Sequence, residues 1–150
     1  MRVLIESLDR DEVRHIGFTP MPAYRVVFSA GTLRAGAWFV PSAEDASTFV
    51  GQTCDVEVNH ERVSALMHLS PSKPCQHMFV PMAEFGCFQV RGKVISATPK
   101  NDLGGEPFAF VRAADAHIGL GSDDLAGVDL TEGDCVAFCV HDVSLWDEAL

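Results

Sequence analysis

Phe108 and Phe110 stand two residues apart in a stretch that ends on Arg112, and Arg91 and Lys93 repeat that spacing upstream. On β-strands, side chains two residues apart share a face, so each set would form one row. The next stretch, Asp115-Ala116-His117-Ile118, puts His117 in the same phase. If the three strands are neighbours, Arg91, Lys93, Phe108, Phe110, Arg112 and His117 share a surface. Rings interleaved with cations are the apparatus for stacking unpaired bases and holding phosphates. The competing reading is core packing, since burying a phenyl ring stabilises by about 1.5–3 kcal/mol. Arg91 and Lys93 are then the solvated face of a half-buried strand.

A second constellation is acidic. From Ala113 to Leu150 there are nine acids and no Lys or Arg. Asp123, Asp124, Asp129 and Glu132, together with an exposed Trp146, offer a surface for docking a basic protein, with charge steering the encounter. Asp123 and Asp124 also suit the start of a short helix, where carboxylates favour the dipole. The run lacks the D-x-D-x-D-G pattern that curls oxygens around calcium.

Thiolate and imidazole occur together at Cys75-x-His77, at Cys135, Cys139 and His141, and at Cys54 with His60. Two cysteines four residues apart on a strand are separated by about 13 Å at ~3.3 Å per residue, too far to chelate one ion. No metal or other cofactor is expected. The five cysteines, 54, 75, 87, 135 and 139, are odd in number and contain no C-x-x-C pair, so they read as free thiols. No G-x-S-x-G, P-loop, H-E-x-x-H or G-x-G-x-x-G occurs. His141, Asp142 and Ser144 supply triad residue types only, because adjacent strand residues face opposite ways and Asp142 cannot orient His141. No catalytic residue is assigned.

The elements that must position these residues are short strands. The 150 residues are 47% apolar and 21% charged, enough for one globular domain or two small fused ones. Eleven basic against 21 acidic residues give a net charge of −10, which excludes a polybasic wrapper of duplex DNA or of an anionic membrane. No apolar run approaches the ~20 residues of a membrane span. The opening MRVLIESLDRDEV lacks the hydrophobic stretch of a signal peptide, so a cytoplasmic location is expected.

Alternation predicts strands over Val3–Ser7, Tyr24–Ala30, Ala37–Val40, Thr53–Val58 and Val63–Leu69, then Phe88–Ala97, Phe108–Arg112, Ala116–Leu120, Cys135–Val140 and Val143–Trp146. A capping-box-like Ser42-Ala43-Glu44-Asp45 after Pro41 predicts a short helix ending near Gly51. Asn101 to Gly105 reads as a turn. Ser70–Pro81, with three prolines, is the boundary between a small β unit over 1–75 and a second unit over 82–150; a single continuous domain over 1–150 is the alternative. The segments starting at Gly51 and Gly133 superpose at an offset of 82, as two copies of a barrel motif would.

Gly92-Lys93-Val94, Phe108-Ala109-Phe110-Val111, Asp115-Ala116-His117-Ile118 and Leu130 to Val140 together resemble the cold-shock domain, a five-stranded barrel of the OB type, over roughly residues 88–140. The resemblance implies that Phe108 and Phe110 stand at the stacking aromatics of the family's first ribonucleoprotein motif. It implies that His117 stands near the aromatic position of the second, and it puts Lys93 on the first strand.

The expected fold class is therefore mostly β, all-β with one or two short helices, with an OB-like barrel in the C-terminal half packed with a second β unit. The expected function is a non-enzymatic binding module for single-stranded nucleic acid on the Phe108/Phe110 face. Docking of a basic protein on the acidic C-terminal surface, or an enzyme whose site is not written in a motif, are the alternatives. No membrane partner is expected.

Overall fold

The computed structural model describes residues 1–71, 73–101 and 103–150. Ser72 of the proline-rich boundary and Asp102 of the expected turn lie outside the described residues. The chain is mostly β, with eleven strands, one 3-10 turn and one single-turn helix among the described residues. It divides into two compact units: unit 1 holds residues 1–60, 81–87 and 142–150, and unit 2 holds 61–80 and 88–141.

Unit 1 is a closed barrel. Its strands are β1 (Arg2–Ile16), β2 (Met21–Ala30), β3 (Leu33–Val40), β4 (Thr53–Asn59) and β11 (Ser144–Asp147), in the ladder order β1-β2-β3-β11-β4. The pairing of Arg2 with Asp55 and Leu4 with Thr53 joins β4 back to β1. β11 runs parallel to β3, with Leu145 opposite Phe39, and antiparallel to β4, with Leu145 opposite Val58. Val3, Ile5, Val26, Phe28, Phe39 and Leu145 fill the interior at 0–1% exposure. The alternation that predicted these strands is the alternation that sorts them inward. A closed ladder leaves no sheet edge unpaired.

Unit 2 is a six-stranded sheet. β5 (Arg62–His68), β10 (Cys135–His141), β7 (Phe88–Thr98), β8 (Phe108–Ala113) and β9 (Ala116–Leu120) follow one another, and β6 (Met78–Pro81) pairs with β7 beside this path. Its inward face carries Phe88, Val90, Val94, Val111, Ile118, Leu120, Val136, Phe138 and Val140. Phe79 of β6 stacks on Phe88 with centroids 4.5 Å apart. The helical turn α1 (Ser122–Leu125) follows β9 and carries Asp123 and Asp124 in its first turn, as their types suggested.

The two halves of the chain repeat one strand plan. Three strands are followed by a helical turn and a fourth strand that lies beside the first: β1-β2-β3 with β4 on β1, and β7-β8-β9 with β10 on β7. The next strand then enters the other unit, because β5 adds to β10 while β11 adds to β4 and β3. Thr53 and Cys135, and Arg62 and Ser144, which open the corresponding strands, are each 82 residues apart. A contiguous 1–60 segment therefore lacks the strand that closes its barrel.

Three local expectations are corrected. The helix after Pro41 is a 3-10 turn, Ala46–Phe49, capped by Asp45, whose carboxylate accepts from the Ser47 N–H at 3.0 Å. Ser42 is not the cap; its hydroxyl donates to the Asp147 carboxylate. β1 runs on to Ile16 through the charged stretch Asp9–Glu12, held by register with β2 across a bulge between Asp9 and Val13.

Candidate nucleic-acid interface

The face begins with the phase of β8. Its side chains alternate exposed and buried, with Phe108, Phe110 and Arg112 outward and Ala109, Val111 and Ala113 inward. The strand thus turns its largest apolar groups to water and its smaller ones to the core, the reverse of what burial favours. Phe108 is 38% and Phe110 42% exposed. The two rings meet edge to face with centroids 4.8 Å apart. Gly119 of β9 lies opposite Phe110. A Cβ there would sit 3.0 Å from the Phe108 ring and 3.5 Å from the Phe110 ring, so the bare glycine makes room for the rings.

Cross-strand partners share a face, and the register assembles the rest. Arg112 is opposite Lys93 on one side and His117 on the other. These three exposed cations or potential cations form a row beside the rings. A bulge between Val94 and Ser96 shifts the phase of β7, bringing Ser96 opposite Phe110 and Thr98 opposite Phe108. The bulged Ile95 is 38% exposed. Ser96, Thr98 and Ile95 were not anticipated; the only trace in the sequence is the consecutive apolar pair Val94-Ile95, which breaks the alternation.

Arg91 differs from the expectation of an open position. It shares the phase of Lys93 but is half-buried, and its Nε is buried without a hydrogen-bond partner. With Lys73, Pro74, Gln76 and Cys135 it lines a cleft of about 580 Å³. The proline-rich segment forms part of the wall of this cleft. Cys75 forms a disulfide with Cys135, 60 residues away, and this corrects the reading of all five cysteines as free thiols. No spacing rule links a loop cysteine to a strand so distant in sequence. Cys54, Cys87 and Cys139 are not disulfide-bonded, with burial first among the causes that push the Cys54 thiol up to about 11 and also raise Cys87. His77 follows Cys75 and borders a second cleft, of about 440 Å³, with Arg112, Asp115 and His117.

Electrostatics separate the two units. In unit 1 every arginine lies within 4.0 Å of a carboxylate: Arg2 with Asp55, Arg10 with Asp45, Arg14 with Asp142, Arg25 with Glu12 and Arg34 with Glu6. Arg14 and Arg25 also lie over the Trp38 and Phe85 rings at 5.2 and 4.1 Å. Among the described residues, Lys73, Arg91, Lys93 and Arg112 of unit 2 have no carboxylate partner. An anion therefore meets unneutralised charge on this face although the chain is acidic overall.

The other candidates separate. Asp123, Asp129 and Glu132 are exposed on unit 2, while Asp124 accepts from the Gly121 N–H at 3.0 Å. Trp146 belongs to the barrel of unit 1 and is half-buried rather than exposed: its indole donates to Ser144 at 2.9 Å and its ring abuts Gly17. Asp142 is engaged by Arg14 at 2.8 Å. His141 meets Ser64 instead, Nε2 to Oγ 2.7 Å, a contact the sequence did not suggest. Cys75 and Cys135, two of the thiols weighed as metal ligands, are consumed by their disulfide. No helix among the described residues is long and apolar enough to cross a membrane. Comparison of the chain with protein-family models, with curated proteins and with solved structures finds no match.

Proposed function

We propose that the outer face of unit 2 binds single-stranded nucleic acid, with Phe108 and Phe110 stacking bases and Lys93, Arg112 and His117 holding the backbone. The observation that carries this reading is the pair of half-exposed phenyl rings flanked in register by two unneutralised cations. An apolar pair kept in water on the one strand whose core side holds only Ala109, Val111 and Ala113 forfeits burial energy that a core arrangement would have gained. A stacking ligand restores it. Every base has a π-face and every nucleotide a phosphate, so such a site selects for single strands over sequence. The strand plan that unit 2 shares with unit 1 supports the OB-type architecture that the cold-shock resemblance implies over residues 88–140, with the closed five-stranded ladder lying in unit 1.

The test is a fluorescence-anisotropy titration of labelled oligo(dT) with the full chain at two salt concentrations. Binding at micromolar protein is expected. Two phosphate contacts, from Lys93 and Arg112, give a log–log salt slope of about −1.4, at about 0.7 per phosphate on a single strand. Absence of salt-sensitive binding overturns the proposal.

A further inference from the structure

We infer that the Cys75–Cys135 disulfide fastens residues Lys73–His77 as a strap over Arg91, and that reduction of this bond by a dithiol opens that part of the face. Register fixes where the strap lies. Cys135 is opposite Lys93, and Ala137 is opposite Arg91. Lys93 points outward, so the disulfide emerges on the outer face, between the strap and β10. Lys73, Pro74 and Gln76 then wall the cleft that contains Arg91, and His77 reaches the cleft of Arg112 and His117. The strap runs from β10 past Arg91 to the cleft of Arg112 and His117, leaving Lys93, Arg112 and His117 exposed.

The stretch that carries it is anchored at both ends. Upstream, the Leu69 N–H donates to the Cys135 carbonyl at 2.8 Å, and downstream β6 joins β7. Between these points the cystine is the covalent tie, and Lys73, Pro74, Gln76 and His77 are exposed. Beneath it the buried Arg91 Nε has no acceptor. A buried donor without a partner is unfavourable, and uncovering it lets water or a phosphate oxygen satisfy it. The opening step is thiol–disulfide exchange. A thiolate of the dithiol attacks one sulfur, forming a mixed disulfide. Its second thiol then displaces the protein sulfur, leaving a cyclic disulfide, with two electrons and two protons transferred to give the Cys75 and Cys135 thiols.

The strap stands on this geometry alone; its consequence for ligand binding rests on the function proposed above. The experiment therefore has two arms on the full-length protein. In the first, phenylglyoxal labels arginines in oxidised and dithiothreitol-treated protein, and peptide mass spectrometry compares Arg91 with exposed Arg112. The expected result is slow Arg91 labelling when oxidised and a several-fold increase on reduction, with Arg112 unchanged. Cys75→Ser labels like the reduced protein without dithiol. Hydrogen exchange at the Lys73, Cys75, Gln76 and His77 amides of wild-type protein, faster on reduction while β7 and β8 stay protected, gives the same answer independently of the variant. Equal Arg91 labelling and equal strap exchange in both states overturn the inference. In the second arm, oligo(dT) binds more tightly to reduced protein, with a salt slope steeper by about 0.7 for one added phosphate contact. Arg91 opening without oligonucleotide binding in either state leaves the strap standing and removes the nucleic-acid reading.

Discussion

Replacing Phe110 with alanine removes a ring that the fold needs little and the proposed ligand needs much. The side chain is 42% exposed, so it realises somewhat over half of a phenyl ring's burial, about 1–2 kcal/mol. Loss of its edge-to-face contact with Phe108 adds about 0.5–1.5 kcal/mol. A domain of ordinary stability, about 5–15 kcal/mol, survives this loss and stays folded. The affinity effect is larger in proportion. Stacking of one base contributes about 1–3 kcal/mol, so the Kd for oligo(dT) rises about 5- to 140-fold. Val111 supplies the control, because it is the next residue, faces inward and is fully buried. Val111→Ala lowers stability by about 1–3 kcal/mol through lost methyl burial and a residual cavity, yet leaves the affinity of the folded fraction unchanged. Urea denaturation and anisotropy titration on the same three proteins separate the two effects. If wild-type protein binds and Phe110→Ala binds within twofold of it, the ring is not a stacking platform and the reasoning fails.

Further substitutions test the frame that holds this face. A Cβ on Gly92 would clash with the Arg112 carbonyl oxygen, and backbone cannot swing aside, so Gly92→Ala should cost at least the ~1–3 kcal/mol of ordinary overpacking. An unchanged urea midpoint would contradict that placement. Leu145→Ala, in the strand that closes the barrel of unit 1, should cost about 2–5 kcal/mol and loosen amide protection in β3 and β4 together. Protection lost in β11 alone would argue against closure by that strand. Burial, with Asp147 and Asp55 adding to it, pushes the Cys54 thiol up to about 11. A raised folded pKa means the thiol's contribution is complete below the ordinary thiol range and is lost as pH rises toward that value. Iodoacetamide should therefore alkylate Cys54 slowly until strongly alkaline pH, and a rate that plateaus by pH 9 would refute it.

Strands were legible where alternation runs long enough to mark a core face. Phe88 to Val94 and Cys135 to Val140 alternate in sequence and in burial, and their spans match to within a residue or a few. β6 was hidden because Met78-Phe79-Val80-Pro81 follows a proline-rich stretch and depends on β7 for its pairing. The arm of β1 was hidden because Asp9–Glu12 reads as solvent-loving loop, whereas pairing of Asp9 and Val13 with β2 on either side of a bulge carries the strand through it. The exchange of β5 and β11, and the Cys75–Cys135 bond, are long-range pairings that no local pattern encodes. Of the six residues expected on one surface, Lys93, Phe108, Phe110, Arg112 and His117 lie open on it. Composition alone could not decide whether Phe108 and Phe110 turn inward, because either phase of β8 satisfies alternation. The small size of Ala109 and Ala113 was the one local hint that the core on that side had little room. Arg91 was misjudged because alternation puts its side chain on the open face and says nothing of the proline-rich segment that shares its cleft.

The central claim is that a single strand lies across β7, β8 and β9 of unit 2. Amide chemical-shift mapping of the full-length protein during titration with oligo(dT) tests it most directly. The account predicts saturable shifts concentrated at Lys93–Thr98, Phe108–Arg112 and His117–Gly119, shrinking as salt is raised. Shifts confined to the barrel of unit 1 or to the acidic loop around Asp123–Glu132, or no shifts at all, would contradict it.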